Sequence, residues 1–203
     1  DVVRPIIIRN NLFHNPAGHS SYGIDLDDGS TNYIIQNNLL INCGVKSQLG
    51  FNHTITNNII IDALATLHQW NMPDMQKVIA HNIIINKNPY YCRTRDFKPN
   101  TGMIDSNLFW NKGASVVLQI DAGKENGGEI SAAQTWAAYG LDKHSVIADP
   151  LFADAAKGVY TVKPGSPALK LGFKNFPMNQ FGKPGYPVPP AFELTKAMAS
   201  VGK

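Results

Sequence analysis

Ile35-Gln36-Asn37-Asn38-Leu39-Leu40 is a phrase that the chain repeats. It stands upstream as Ile8-Arg9-Asn10-Asn11-Leu12-Phe13, and downstream as Ile55-Thr56-Asn57-Asn58-Ile59-Ile60, Ile79-Ala80-His81-Asn82-Ile83-Ile84 and Ile104-Asp105-Ser106-Asn107-Leu108-Phe109. Between the marker residues Asn11, Asn38, Asn58, Asn82 and Asn107 the steps are 27, 20, 24 and 25 residues. A period in that range is the mark of a chain built from stacked units.

What fills the unit selects among such chains. Leucine-rich, ankyrin and tetratricopeptide units each carry a helix, whereas these are β-branched, Asn-rich and Gly-punctuated with no helical apolar period. One apolar stretch follows each Asn pair and a second, alternating stretch comes some ten residues on, so a unit holds two or three strands separated by turns. The sequence therefore predicts an all-β right-handed parallel β-helix, a solenoid in which Asn at one turn position forms a ladder and tolerates left-handed backbone geometry. Loop composition alone does not explain the Asn pairs, because the flanking Ile and Leu repeat with them.

Beyond Asn107 the phrase loosens. Ser115 to Ile120 reads as one more strand, Gly127-Gly128 as a loop, and Ser131 to Tyr139 as a short outer helix capped by Ser131 and ended by Gly140. The Pro- and Gly-rich remainder is expected to close the C-terminal end. The expectation is one domain over 1–203, with rungs over 1–122, loop and helix over 123–145 and the closing segment over 146–203. Since Val2 to Phe13 already forms a full rung phrase, further N-terminal rungs, or rungs supplied by another chain, are expected before it.

Composition narrows the partners. The 203 residues are 43% hydrophobic, enough for a core, and the formal net charge of +3 is too small and scattered for a nucleic-acid or membrane surface. No apolar run is long enough to span a bilayer. Cys43 and Cys92 belong to no metal or redox spacing and read as plain buried thiols.

The phrase Gly23-Ile24-Asp25-Leu26-Asp27-Asp28-Gly29-Ser30-Thr31-Asn32-Tyr33, with Gly44-Val45-Lys46, Gly50-Phe51 and His68-Gln69-Trp70, resembles the parallel β-helix glycoside hydrolases that include β-xylosidases. The run from Trp136 to Gly140 through Asp149-Pro150-Leu151-Phe152 to Gly165 and Phe173 is similar to the end of many β-helix glycosidases and polysaccharide lyases. The resemblance implies a carbohydrate-active hydrolase of poly- or oligosaccharides, secreted or periplasmic, with the Asp cluster at its catalytic centre. In one respect the chain departs from that pattern: where such enzymes carry an acidic residue after the Lys, it has Ser47-Gln48-Leu49.

Strand parity leads to the same place. Ile24 and Leu26 share one face, so Asp25 and Asp27 share the other; in the next rungs Lys46 and Gln48, then His68 and Trp70, then Arg93 take the outer parity. Stacked ~4.8 Å apart, these residues make a polar stripe suited to a sugar ring. Asp25 and Asp27 are the candidate catalytic carboxylates, one kept ionised by Lys46, with Lys46, Gln48, His68, Trp70 and Arg93 binding substrate. The proton donor is the other Asp, or Asp74 or Asp96, or a residue of the further rungs expected before Val2. Asp28 is read as a turn cap, Gly29 as the positive-φ turn residue, and His14, His19 and His53 as turn residues near the groove edge.

The hydrolase needs no cofactor. Two other readings stay open. A polysaccharide lyase would hold Ca²⁺ on Asp25, Asp27 and Asp28 and use Lys46 or Arg93 as base; a non-catalytic coil would only bind glycans.

Overall fold

Columns of identical aliphatic side chains set the architecture. In the computed structural model, which describes residues 4–15, 22–62, 67–69, 76–85, 90–93, 102–114, 116, 118–121, 129–131 and 140–182, the chain is all-β with its main sheets parallel. The first sheet stacks Ile6–Arg9, Tyr33–Gln36, His53–Thr56, Lys77–Ala80 and Gly102–Asp105. The second stacks Leu12–His14, Leu39–Ile41, Ile59–Ile61, Ile83–Ile85, Leu108–Trp110 and Val146–Ile147. A third stacks Tyr22–Leu26, Gly44–Ser47 and Leu67–Gln69. Successive visits of the chain to a sheet add the next strand in parallel.

The registers explain why the phrase repeats. Ile8 lies against Ile35, Ile35 against Ile55, Ile55 against Ile79 and Ile79 against Ile104, one uninterrupted column on the first sheet. Ile35, Ile55 and Ile79 are fully buried and pack on Leu40, Ile60, Ile84 and Phe109 from the second sheet and on Ile24, Leu26 and Val45 from the third. β-branched side chains suit such a surface because they lose little rotamer freedom on a pleated strand.

The paired turn residues divide the work. The first of each pair, Asn10, Asn37, Asn57, His81 or Ser106, takes φ between 56° and 58°, a left-handed kink that Asn accepts more readily than most residues. The second builds the ladder. The backbone N–H and Nδ2 of Asn38 both donate to Asn58 Oδ1 at 3.0 Å, those of Asn58 to Asn82 Oδ1, and those of Asn82 to Asn107 Oδ1. Each Nδ2 also reaches a carbonyl of the preceding repeat: Ile8, Ile35, Ile55 and Ile79 in turn. Buried amides stay satisfied, as they must in an apolar interior. The ladder ends where Asn107 donates to Ser145 Oγ and Asp142 Oδ1.

The second sheet is buried on both faces. Leu40, Ile60 and Ile84 point into the inner core, while Leu39, Ile41, Ile59, Ile61, Ile83, Ile85 and Leu108 are covered by Phe152, Val162, Ala168, Phe173, Phe176 and Phe181. That is why these strands read as three apolar residues in a row rather than alternating. The cover begins with the hairpin Phe152–Asp154 and Val159–Val162, passes through a short helix Pro167–Lys170 capped by Ser166, and continues in irregular chain. It is pinned by Lys174, whose N–H donates to Asn57 Oδ1 at 2.7 Å and whose carbonyl accepts from Asn57 Nδ2 at 2.8 Å. The segment after Ile147 thus lies along the outer flank of the second sheet and reaches back to the third repeat.

One local expectation meets a different outcome. A strand forms at Leu118–Asp121, overlapping the expected strand over Ser115 to Ile120, but Ser131 ends another strand, Glu129–Ser131, that pairs antiparallel with it. Backbone pairing claims the residue read as a helix cap; the rest of that predicted helix, and Gly127-Gly128, lie outside the described residues. No helix among the described residues is long and apolar enough to cross a membrane.

Candidate functional site

Alternation in Tyr22–Leu26 buries Ile24 and Leu26 at 4% and 3% exposure and leaves Asp25 and Asp27 exposed. The neighbouring strand repeats the pattern, with Val45 and Ser47 buried and Lys46 between them facing out. Asp25 stands in register with Lys46, and Lys46 with His68. Lys46 Nζ therefore meets both carboxylates, at 3.2 Å from Asp25 Oδ1 and 3.0 Å from Asp27 Oδ1. Those two contacts laid end to end bound the separation of the two oxygens at 6.2 Å.

The electrostatics follow from this contact. The hydrogen bond from Lys46 holds the Asp27 carboxyl below the usual carboxylate range, helped by the Asp28 backbone N–H. Burial works against the Lys46 ammonium, but the hydrogen bonds it donates to Asp27 and Asp25 outweigh it and hold its pKa above the ordinary value. Asp27 and Lys46 therefore stay charged across the physiological range.

The turn after Asp27 closes by a hydrogen bond from Ser30 N–H to the Asp27 carbonyl at 3.0 Å, with Gly29 at φ 80°. Asp28 does not cap this turn with its side chain. Its carboxylate accepts from Gln48 Nε2 at 2.6 Å, since Gln48 stands in the adjoining repeat. Consequently Asp25 and Asp27 turn to Lys46 and Asp28 to Gln48, and the three acids do not converge as a calcium site would need. Among the described residues no three His, Cys, Asp or Glu side chains are grouped to hold a metal ion.

Below this face lies a buried polar corner that parity foretells and composition hides. Ile55 and Ile79 point inward, so His53 and Lys77, two residues earlier on their strands, do too. His53 is fully buried, with Nδ1 2.8 Å from Ser47 Oγ and Nε2 2.6 Å from the Ser30 carbonyl. The carbonyl can only accept, which makes Nε2 the protonated nitrogen and Ser47 the donor to Nδ1. His53 is not a groove-edge residue: it stands inside, and burial pushes its pKa down to about 4. Lys77, 1% exposed, donates to the carbonyls of Ser47 and Gln48 at 3.1 and 2.6 Å. These bonds fix the backbone from which Lys46 and Gln48 project. Gly50 completes the corner, because a methyl there would fall 1.7 Å from the Ser30 carbonyl oxygen.

Tyr22 is a residue that simple alternation misses. Tyr22 pairs with Gly44 and Ile24 with Val45, so Gly23 is an extra residue, a β-bulge. A methyl on Gly23 would come within 2.8 Å of Cys43 Sγ and 3.1 Å of Phe13 Cβ, so its open side faces the inner core like Ile24. Two inward positions in succession turn Tyr22 outward, and Lys46 Nζ lies 5.9 Å from the centre of its ring. Glycine two residues before the first Asp is the signal that could have flagged it.

Of the remaining predicted residues, His68 is placed only by its strand register, and Arg93 lies on Tyr90–Arg93, a strand that adjoins Leu67–Gln69 and pairs with Leu118–Asp121. Trp70, Asp74, Asp96 and His19 lie outside the described residues. Cys43 is a buried thiol, its pKa pushed up to about 11 by burial. Comparison of the chain with protein-family models, with curated proteins and with solved structures finds no match.

Proposed function

We propose that the chain is a right-handed parallel β-helix of the glycoside hydrolase kind, resembling the β-xylosidase-like enzymes, and that it cleaves a glycosidic bond of an oligo- or polysaccharide between Asp25 and Asp27. The parallel sheets, each extended by one strand per repeat, support the architecture. The contact of Lys46 with both carboxylates carries the function.

Retaining glycosidases set their carboxyl groups about 5–5.5 Å apart and inverting ones about 6.5–9.5 Å. An oxygen separation of at most 6.2 Å favours retention. Asp27, ionised beside Lys46, is the nucleophile: its oxygen attacks the anomeric carbon while Asp25 protonates the departing glycosidic oxygen. Water then opens the glycosyl-enzyme ester, giving its proton back to Asp25. Gln48, held on Asp28, offers amide contacts to sugar hydroxyls, and Lys46 keeps the Asp27 carboxylate ionised until it attacks. His68, Trp70 and Arg93 belong to the same proposal as substrate contacts, and the place of work is secreted or periplasmic. Lysine engaged by two acids is poorly placed as a lyase base, and the three acids of the calcium alternative are divided between Lys46 and Gln48.

The test is hydrolysis of aryl glycosides and plant or microbial polysaccharides by the purified chain, with and without EDTA, beside Asp25→Asn and Asp27→Asn. Metal-independent sugar release abolished in both variants is expected. An EDTA-sensitive, ultraviolet-absorbing unsaturated product would replace the hydrolase with a lyase, and binding without turnover would leave a glycan-binding coil.

A further inference from the structure

Behind Tyr22 the surface sinks into a cavity of about 300 Å³ lined by Phe13, His14, Asn15, Tyr22, Gly23 and Cys43. Building on the glycosidase proposal, we infer that this cavity is the subsite for one uncharged sugar ring, with the Tyr22 ring as its stacking wall and the Gly23 bulge as the device that opens it.

Size comes first. Cavities that hold small ligands run from about 300 Å³ upward, so this one takes a single ring and not a longer oligosaccharide. The lining residues are of the kinds a sugar needs: aromatic Phe13 and Tyr22 for its C–H faces, and polar His14 and Asn15 for its hydroxyls. None of the lining residues is Lys, Arg, Asp or Glu, and burial pushes the His14 pKa down, which keeps that ring neutral. A uronate carboxylate would find no cation inside.

Position ties the cavity to the chemistry. Tyr22 and Asp25 are three residues apart on one strand, at most ~10 Å at ~3.3 Å per residue, so a ring seated at Tyr22 brings its linkage toward the carboxylates. Lys46 touches both ends of this arrangement, the Tyr22 ring at 5.9 Å and the two acids by ion pairs. Gly23 is essential to the geometry twice over. Its bulge turns Tyr22 outward, and its lack of a side chain lets Cys43 and Phe13 approach more closely than a Cβ would allow.

Two measurements on the full chain test this. Steady-state kinetics on p-nitrophenyl β-D-xyloside and β-D-glucoside should show Tyr22→Ala raising KM about 3- to 10-fold with little change in kcat, and Tyr22→Phe restoring it. Calorimetry with xylobiose, cellobiose and digalacturonate on Asp27→Asn reads binding without turnover: one of the neutral disaccharides should bind, lose affinity in the Tyr22→Ala, Asp27→Asn double variant and keep it in Tyr22→Phe, Asp27→Asn. Hydrolysis with a KM untouched by Tyr22→Ala would overturn the subsite and leave the glycosidase standing. Preference for digalacturonate would overturn the uncharged ring. Absence of both turnover and binding in the chain with Tyr22 intact would overturn subsite and glycosidase together.

Discussion

Acidifying the protein from about pH 7.5 to about pH 4.5 should destabilise it chiefly through one ring, His53. In the folded chain His53 is buried, donates from Nε2 to the Ser30 carbonyl and accepts from Ser47 at Nδ1, so its second proton has nowhere to go without breaking the Ser47 bond. Lys77 adds a positive charge nearby. The folded pKa of about 4 lies below the value of about 6.5 for an exposed imidazole, so in acid the unfolded chain takes up the proton first. Stability contributed by the neutral ring is complete above about pH 6.5, shrinks as pH falls toward about 4, and is gone below that. Its full size is about 3 kcal/mol, with roughly 2.5 kcal/mol lost by about pH 4.5. In urea denaturation this lowers the midpoint by about 1 M. His53→Gln can place an amide donor and acceptor near the same partners but carries no titration, so its acid-induced loss should be smaller than that of the unmodified protein by the same roughly 2.5 kcal/mol. Equal losses in the two proteins would refute the assignment of His53 as a buried neutral ring.

Other outcomes follow from the same geometry. Asn82→Ala removes a ladder member that donates to Asn107 Oδ1 and the Ile55 carbonyl and accepts twice from Asn58; chemical denaturation should show a loss of about 3 kcal/mol or more, and a smaller one for Asn11→Ala at the ladder's first, half-exposed position. Phe173→Ala uncovers the outer face of the second sheet and should cost about 3–5 kcal/mol in thermal or urea unfolding. In the proposed hydrolase, Lys46→Met removes the cation that keeps the Asp27 pKa low, so the acidic limb of the kcat/KM profile should move to higher pH as activity falls; an unmoved limb would separate Lys46 from the proposed nucleophile.

The stacking of the strands was legible because the phrase recurs with its flanking residues: Ile8, Ile35, Ile55, Ile79 and Ile104 each occupy one column of one sheet. Outward Asp25, Asp27 and Lys46 were equally legible, since a period of two decides face without reference to neighbours. Parity failed at Tyr22 because one inserted glycine resets it, and a bulge is defined by the partner strand, which the local sequence does not contain. His53 and Lys77 were hidden for another reason. Composition treats a His or Lys as a surface residue, yet the inward parity of Ile55 and Ile79 already assigns these two to the interior. Asp28 was read as a turn residue from Asp-Gly chemistry, and a contact twenty residues away with Gln48 redirected it.

The C-terminal cover also acts as a gauge. It leaves the stack after Val146–Ile147 and is pinned by Lys174 to Asn57, so its span matches the number of strands between those points. Inserting or deleting one repeat in that interval would shift the anchor by ~4.8 Å and strip a row of aliphatic side chains of its aromatic lid. Repeats before Asn37 carry no such pin at Lys174. A change in length before Asn37 would leave that anchor in place, whereas one between Asn57 and Val146 would pull it out of register.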